Sequence, residues 1–311
     1  KTTKSAQTDI YYLRSVFGEI CPELSDTRKK LTTAKPKKNK QRKDAKSIIA
    51  ASFEEVTTAQ ISEFIAEKVR MKGLAPKTAN RYREIICRLY NWAMNEGGVK
   101  MPNDKNPASK VTKYKLRASE ISFLNMSQIV EQLEALEERP QLQTMVAMLI
   151  YAGLRREELL WLTREDINLK KGLISVRAKT VNGEYWEPKT KVNRAVPISK
   201  ALREYLVNYT PKPSFGGWYF PSPKGVHYDP DNFSRDLRIV NRTAKLKWAC
   251  LDFRHTFGSQ LAMKGESLYK ISKLMGNSPE ICRKHYAAII PESLMDCVDF
   301  TRKQPTLSVT G

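Results

Sequence analysis

The chain has 311 residues, 41% of them hydrophobic, which favours two domains with cores of their own and leaves no apolar run of the ~18–20 residues that a membrane span needs. Five cysteines without a CxxC pair, beside only three histidines, exclude zinc-site spacing and point to a reduced intracellular protein without a structural metal. Against 33 Asp+Glu stand 54 Lys+Arg, a balance of +21 that fits a polyanionic partner, nucleic acid first among them.

No secretory leader is read ahead of the first predicted helix, residues 9–20, which turns Tyr12, Leu13 and Phe17 inward. Residues 28–46 follow with ten basic residues and one acid. Like charges at that density repel, so the segment is a loop or arm. Its Lys37, Lys38 and Lys40 are candidates for phosphate contact, and a solvated loop is the plainer reading. A helix over 57–71 carries Ile61, Phe64, Ile65 and Val69 on one face. Pro76 opens the next helix, where Ala79, Tyr82, Ile86, Leu89 and Ala93 follow a spacing of three and four. The other face of that helix presents Lys77, Arg81 and Arg88, fit for a DNA groove or for water. "NEGGVKMPNDKNPAS" (95–109) is rich in Gly, Pro and Asn and breaks the pattern. The organisation expected is a helical domain over 1–110, a linker over 111–120, a second domain over 121–300 and a tail over 301–311.

The second half opens with helices at 126–138 and 141–152. "LISVRAKT" (173–180), the turn Asn182-Gly183 and "EYWEPK" (184–189) read as a hairpin, and "RAVPIS" (194–199) adds a third strand. Helices are expected at 200–208, 230–244, 253–263, 267–275 and 279–289, the last with Ser278 as N-cap and Pro279 as first residue. In the helix from 253, Phe253, Phe257 and Leu261 mark one apolar face, with Arg254 and His255 at its mouth. The fold class is mainly α with a small three-stranded antiparallel sheet.

Taken singly, the polar residues have ordinary explanations. Tyr286 shares a helix face with Cys282 and Ile289, as a core tyrosine does. Arg155 follows a helix-ending glycine and could satisfy helix carbonyls. Lys189 sits in a turn, and Arg254 could pair with Asp252 or Glu158.

Taken together, "AGLRREEL", "KTKVNRAVPI", "LDFRHTFGSQL" and "LMGNSPEICRKHYA" resemble, in order and spacing, the first arginine box, the lysine hairpin, the second arginine box and the terminal box of the tyrosine recombinase (phage integrase) family. The steps from Lys189 to Pro197 and from Asn277 to Tyr286 match as well. The resemblance covers about 121–295 and extends more weakly to "APKTANRYREIICRLYNWA" in the first half. It implies a helical core-binding domain and a catalytic domain that clamp duplex DNA. It implies site-specific recombination by a homotetramer on two sites, through a 3′-phosphotyrosine, with no metal, ATP or other cofactor. The location implied is the cytoplasm, at the nucleoid.

By the same resemblance, Tyr286 would be the nucleophile, and Arg155 and Arg254 would hold the phosphate and favour the phenolate. Lys189 would protonate the leaving 5′-oxygen, and Glu158 would orient the arginines. The chain departs from the family twice: Leu251 stands where a histidine is usual, three before Arg254, and Asn277 stands where the terminal box has histidine. Asn277 can still donate to a phosphate oxygen, whereas Leu251 can move no proton. His255 and His285 are the nearest histidines in sequence, and the resemblance gives His255 a structural role beside the cluster. Two other readings stay open: a DNA-binding protein that has kept the scaffold and lost turnover, and a type IB topoisomerase using the same chemistry. The tail after Tyr286, "PESLMDCVDFTRKQ", would dock on a neighbouring subunit or pack on its own domain.

Overall fold

The computed structural model describes residues 4–18, 45–116 and 121–287. The basic arm with Lys37, Lys38 and Lys40, the end of the expected linker and the tail after Ala287 lie outside the described residues. The chain parts into two compact units, Lys1–Ala118 and Ser119–Gly311.

The first unit is helical. α1 (Lys4–Phe17) begins earlier than its hydrophobic spacing suggests and buries Val16, with Tyr12 and Phe17 only partly covered. α2 (Thr58–Lys72) starts at a capping box, in which Thr57 and Gln60 each accept the other's backbone N–H, and ends at Gly73. Its Ile61, Phe64 and Ile65 pack against Ala79, Tyr82, Ile86 and Tyr90 of α3 (Pro76–Asn95). Tyr90 rather than Leu89 fills the end of that seam.

Residues 111–116, expected in a linker, belong to this unit. Val111 is buried in its core, Arg83 donates to the carbonyls of Ser109 and Val111 at 2.7 Å, and Asn80 exchanges two hydrogen bonds with the backbone of Tyr114. Gly, Pro and Asn content marks where a helix stops. It does not mark where packing stops.

The second unit surrounds α5 (Pro140–Ala152), buried nearly all round, which α4 (Met126–Glu134), α7 (Lys200–Asn208) and α9 (Cys250–Met263) pack against. α6 (Arg156–Leu160), α8 (Pro230–Thr243), α10 (Leu268–Met275) and α11 (Pro279–Tyr286) complete the helices. The strands form two sheets, where the sequence suggested one. β1 (Ile167–Asn168), β2 (Leu173–Val176) and β5 (Arg194–Pro197) make an antiparallel sheet in the order β1-β2-β5, with Ile174 opposite Val196. β3 (Lys179–Val181) and β4 (Glu184–Trp186) form a separate hairpin.

The cause is local. Ile174 and Val196 are both fully buried, which fixes that register on the core face. The hairpin is held elsewhere, by the ion pair of Lys179 with buried Asp166 and by Trp186 stacked on Trp161 at 5.7 Å. At two residues, β1 is too short to leave an alternation in the sequence.

Candidate active site

α9 packs against α5 and also against α10 and α11. The expected single apolar face is therefore too narrow: Phe253 joins the main core, while Phe257 and Leu261 pack against a second cluster with Ile271, Met275, Cys282 and Tyr286. Hydrophobicity is inverted at the start of this helix. Arg254 is 6% exposed and Leu251 is 62% exposed. A buried guanidinium needs partners for its N–H groups, and Arg254 has three. It donates to the Gly153 carbonyl that ends α5, to the Met275 carbonyl at 2.7 Å and to Asn277 Oδ1 at 2.9 Å.

Arg155 caps the start of α6 from the other side. It donates to Glu158 Oε1 at 2.7 Å, to the Gly276 carbonyl at 2.6 Å and to Asn277 Oδ1 at 2.7 Å. The two guanidinium groups thus converge on one amide oxygen. Asn277, expected as a donor, is here an acceptor for both arginines.

A third guanidinium, Arg194 at the start of β5, was not singled out from the sequence. It grips both oxygens of Glu158, at 3.0 and 2.6 Å, and donates to the Leu274 carbonyl at 2.9 Å. Its position requires Gly276, which has φ +63°, because a Cβ there would lie 2.8 Å from Arg194 Nη1. The only sequence signal was its place inside the lysine-hairpin motif, as the first residue of the strand. Burial of Glu158 works to raise its pKa, but the bonds and charges of Arg194 and Arg155 carry it down to about 2. Burial and the neighbouring Arg155 lower Arg254 to about 10, which leaves it cationic at neutral pH. Within this cluster three guanidinium groups face one carboxylate, so the surplus charge is positive and suited to an anion.

Tyr286 ends α11 and is 1% exposed. Its hydroxyl lies 3.2 Å from His255 Nδ1. Burial outweighs the pull of Arg254 and pushes the phenol up to about 12, opposite to the expected drift toward phenolate. Gly258 makes the approach of the ring to α9 feasible: a Cβ there would meet the hydroxyl at 2.6 Å and Cε1 at 2.8 Å. A glycine inside a helix costs about 1 kcal/mol relative to alanine, so this position gives up helix stability for room. Gly258→Ala is therefore expected to lower the unfolding temperature, because forcing the buried Tyr286 ring aside costs about 1–3 kcal/mol, more than the helix gains. If Tyr286 is the nucleophile that the resemblance implies, the same change should also lower its reactivity toward a DNA phosphate, by about a hundredfold for an ångström of misplacement. Thermal unfolding and a single-turnover cleavage assay on one preparation check both.

Lys189 is exposed in the turn from Pro188 to Lys191, which the Lys191 N–H closes on the Pro188 carbonyl at 2.7 Å. It stands apart from the buried cluster, while Lys179 of the same hairpin region is committed to Asp166 and the Trp161 carbonyl. In the first unit, Lys77 is exposed, but Arg81 and Arg88 both pair with Asp9, at 3.3 and 2.8 Å. Exposed pairs of this kind contribute only about 0–1 kcal/mol, so a phosphate could compete for either arginine. Among the described residues, no group of three or more His, Cys, Asp or Glu is placed to hold a metal ion, and no helix is long and apolar enough to cross a membrane.

Comparison with known proteins places this arrangement. The model of the phage integrase family matches residues 119–291. Tyrosine recombinase XerC of Thermodesulfovibrio yellowstonii is 27% identical over 266 residues, 79% of this chain and 82% of that protein. The integrase of Escherichia phage 186 is 24% identical, over 86% of this chain and 72% of its own length. Among solved structures, the Tn1549 transposon integrase in complex with a circular intermediate DNA superposes with a TM-score of 0.62 at 19% identity, covering 79% of this chain and 87% of that one. A lambda integrase dimer bound to a COC′ core site gives a TM-score of 0.65 at 14% identity, covering 100% and 94%. At these identities the structural likeness concerns the fold.

Proposed function

The chain belongs to the phage integrase family, and from that membership we propose that it breaks and rejoins DNA through a covalent 3′-phosphotyrosine at Tyr286. It is a site-specific DNA recombinase, and its partner is DNA. The observation that carries the mechanism is the convergence of Arg155 and Arg254 on one oxygen, Asn277 Oδ1, in the same cluster that borders Tyr286.

In this reading a phosphate oxygen takes the place of Asn277 Oδ1. Arg155 and Arg254 then hold the non-bridging oxygens as negative charge grows on the pentacoordinate phosphorus. The Asn277 amide, released, turns its NH2 toward the same phosphate. The Tyr286 oxygen attacks, and the 5′-oxygen leaves with the bonding pair. Lys189 supplies the proton to that oxygen, and its exposed turn lets it follow the DNA backbone. Glu158 and Arg194 set the arginines in position without touching the phosphate. The phosphotyrosine keeps the energy of the broken bond, so rejoining draws on no ATP. The Lys77 face of α3, with Arg81 and Arg88, supports phosphate contacts that set affinity without choosing sequence. A homotetramer on two duplex sites, working at the nucleoid, completes the reading.

Incubation with a nicked suicide substrate tests it. The wild-type chain should form a denaturant-stable protein–DNA adduct, and Tyr286→Phe should form none. Equal absence from both overturns the enzyme reading. It would favour a DNA-binding protein on a recombinase scaffold, to which the exposed apolar Leu251 points.

A further inference from the structure

Resting on the reading of Tyr286 as nucleophile, we propose that His255 is the group that takes the tyrosine's proton during attack and returns it during rejoining. The geometry is direct. His255 Nδ1 lies 3.2 Å from the Tyr286 hydroxyl, within the reach a general base needs. Position 251, the obvious place for such a group beside Arg254, holds an exposed leucine that can neither accept nor donate a proton. Residues 251 and 255 are four apart on α9, and therefore lie on one helix face a single turn from each other. His255, one turn further along that face, is the imidazole that meets the phenol.

The surroundings favour the accepting form. Burial lowers the pKa of His255. His285, whose ring centre is 5.4 Å away on α11, and Arg254 on its own helix lower it too, against an opposing pull from Asp252. His285 is itself held below its usual value by burial and Lys284. His255 is thus neutral near pH 7, and with the proton on Nε2 the lone pair of Nδ1 faces the phenol. In the forward step the tyrosine O–H bond breaks and an Nδ1–H bond forms. The oxygen pair attacks phosphorus, and the 5′-oxygen departs to be protonated by Lys189. Rejoining runs the same transfers backward, and no redox partner is involved.

The test is single-turnover adduct formation on the suicide substrate across about pH 5 to 8, the window in which histidine titrates. The wild-type rate should fall toward acid pH as His255 becomes protonated. His255→Gln should keep the unfolding temperature, lose that acid limb and react about 10²–10⁴-fold more slowly, the usual effect of removing one acid–base group. The double variant L251H/H255Q should regain at least about tenfold of the rate, because it returns an imidazole to the same face. A His255→Gln enzyme that keeps wild-type rate and pH profile overturns the proposal. So does a wild-type profile flat toward acid, a result that depends on no variant. Failure of the broader reading looks different: no adduct from the wild type at any pH, as with Tyr286→Phe.

Discussion

Arg254→Lys is expected to lower the rate of adduct formation by about 10²–10³-fold, the effect of removing one donor from a charge-stabilising site. Charge is conserved in this substitution, so the loss isolates geometry. Arg254 spreads its N–H groups over the carbonyls of Gly153 and Met275 and over Asn277 Oδ1. Those contacts come from the end of α5, the end of α10 and the loop before α11. One planar fork thereby fixes three segments around the proposed phosphate position. An ammonium is a point charge with a flexible stem and cannot match that fork. Lysine would also leave carbonyls buried without a donor, at a cost of about 1–3 kcal/mol each. The variant should therefore unfold at a lower temperature than the wild type, while retaining enough folded protein at 25 °C for single-turnover measurement. A rate within about threefold of the wild type would mean that Arg254 serves the fold alone and that the arginine requirement of the chemistry is met elsewhere.

The same residues explain what the sequence could reveal. Arg155, Arg254, Asn277 and Tyr286 each lie in a motif with fixed steps to its neighbours, so they could be found by pattern although no single one was compelling. Helices were legible because α2, α3 and α9 to α11 carry caps, prolines or regular apolar spacing. Arg194 was not legible. Nothing local distinguishes an arginine that bridges Glu158 and Leu274 from one that faces water, since both partners are more than thirty residues away. The split into two sheets was hidden for a similar reason: the decision rests on Asp166 and Trp161, upstream of the strands they capture. The proximity of His255 to Tyr286 depends on how α11 lies on α9, and Gly258 was its one trace in sequence. The resemblance gave His255 only a structural role, and helix spacing could not correct that, because it fixes directions on one helix and is silent about what approaches from another.

Glu158→Ala is expected to destabilise the second unit by about 3–5 kcal/mol, the range found when one partner of a buried ion pair is removed. Glu158 is 2% exposed and, among the described residues, is the one carboxylate paired with Arg155, Arg194 and Arg254. Without it, three buried or half-buried cations repel one another with no local counter-charge. Acid should reproduce the effect by protonating the same group. The folded protein holds the Glu158 carboxyl at about 2 against an ordinary 4.5, so between those values the unfolded chain binds the extra proton. Stability from this group is therefore complete above about pH 4.5 and is lost as pH falls toward 2, a change of about 3 kcal/mol. Urea unfolding from about pH 6 downward, followed by tryptophan fluorescence, measures it. Four of the five tryptophans, Trp161, Trp186, Trp218 and Trp248, lie in the second unit and report on it. Glu158→Gln keeps the shape and half of the acceptors while removing the titration. Its acid slope should be shallower than that of the wild type, and its adduct formation slower, because Arg155 loses the charge that orients it. If wild type and Glu158→Gln share one acid slope, other carboxylates govern acid unfolding, and the guanidinium cluster is held by its carbonyl contacts instead.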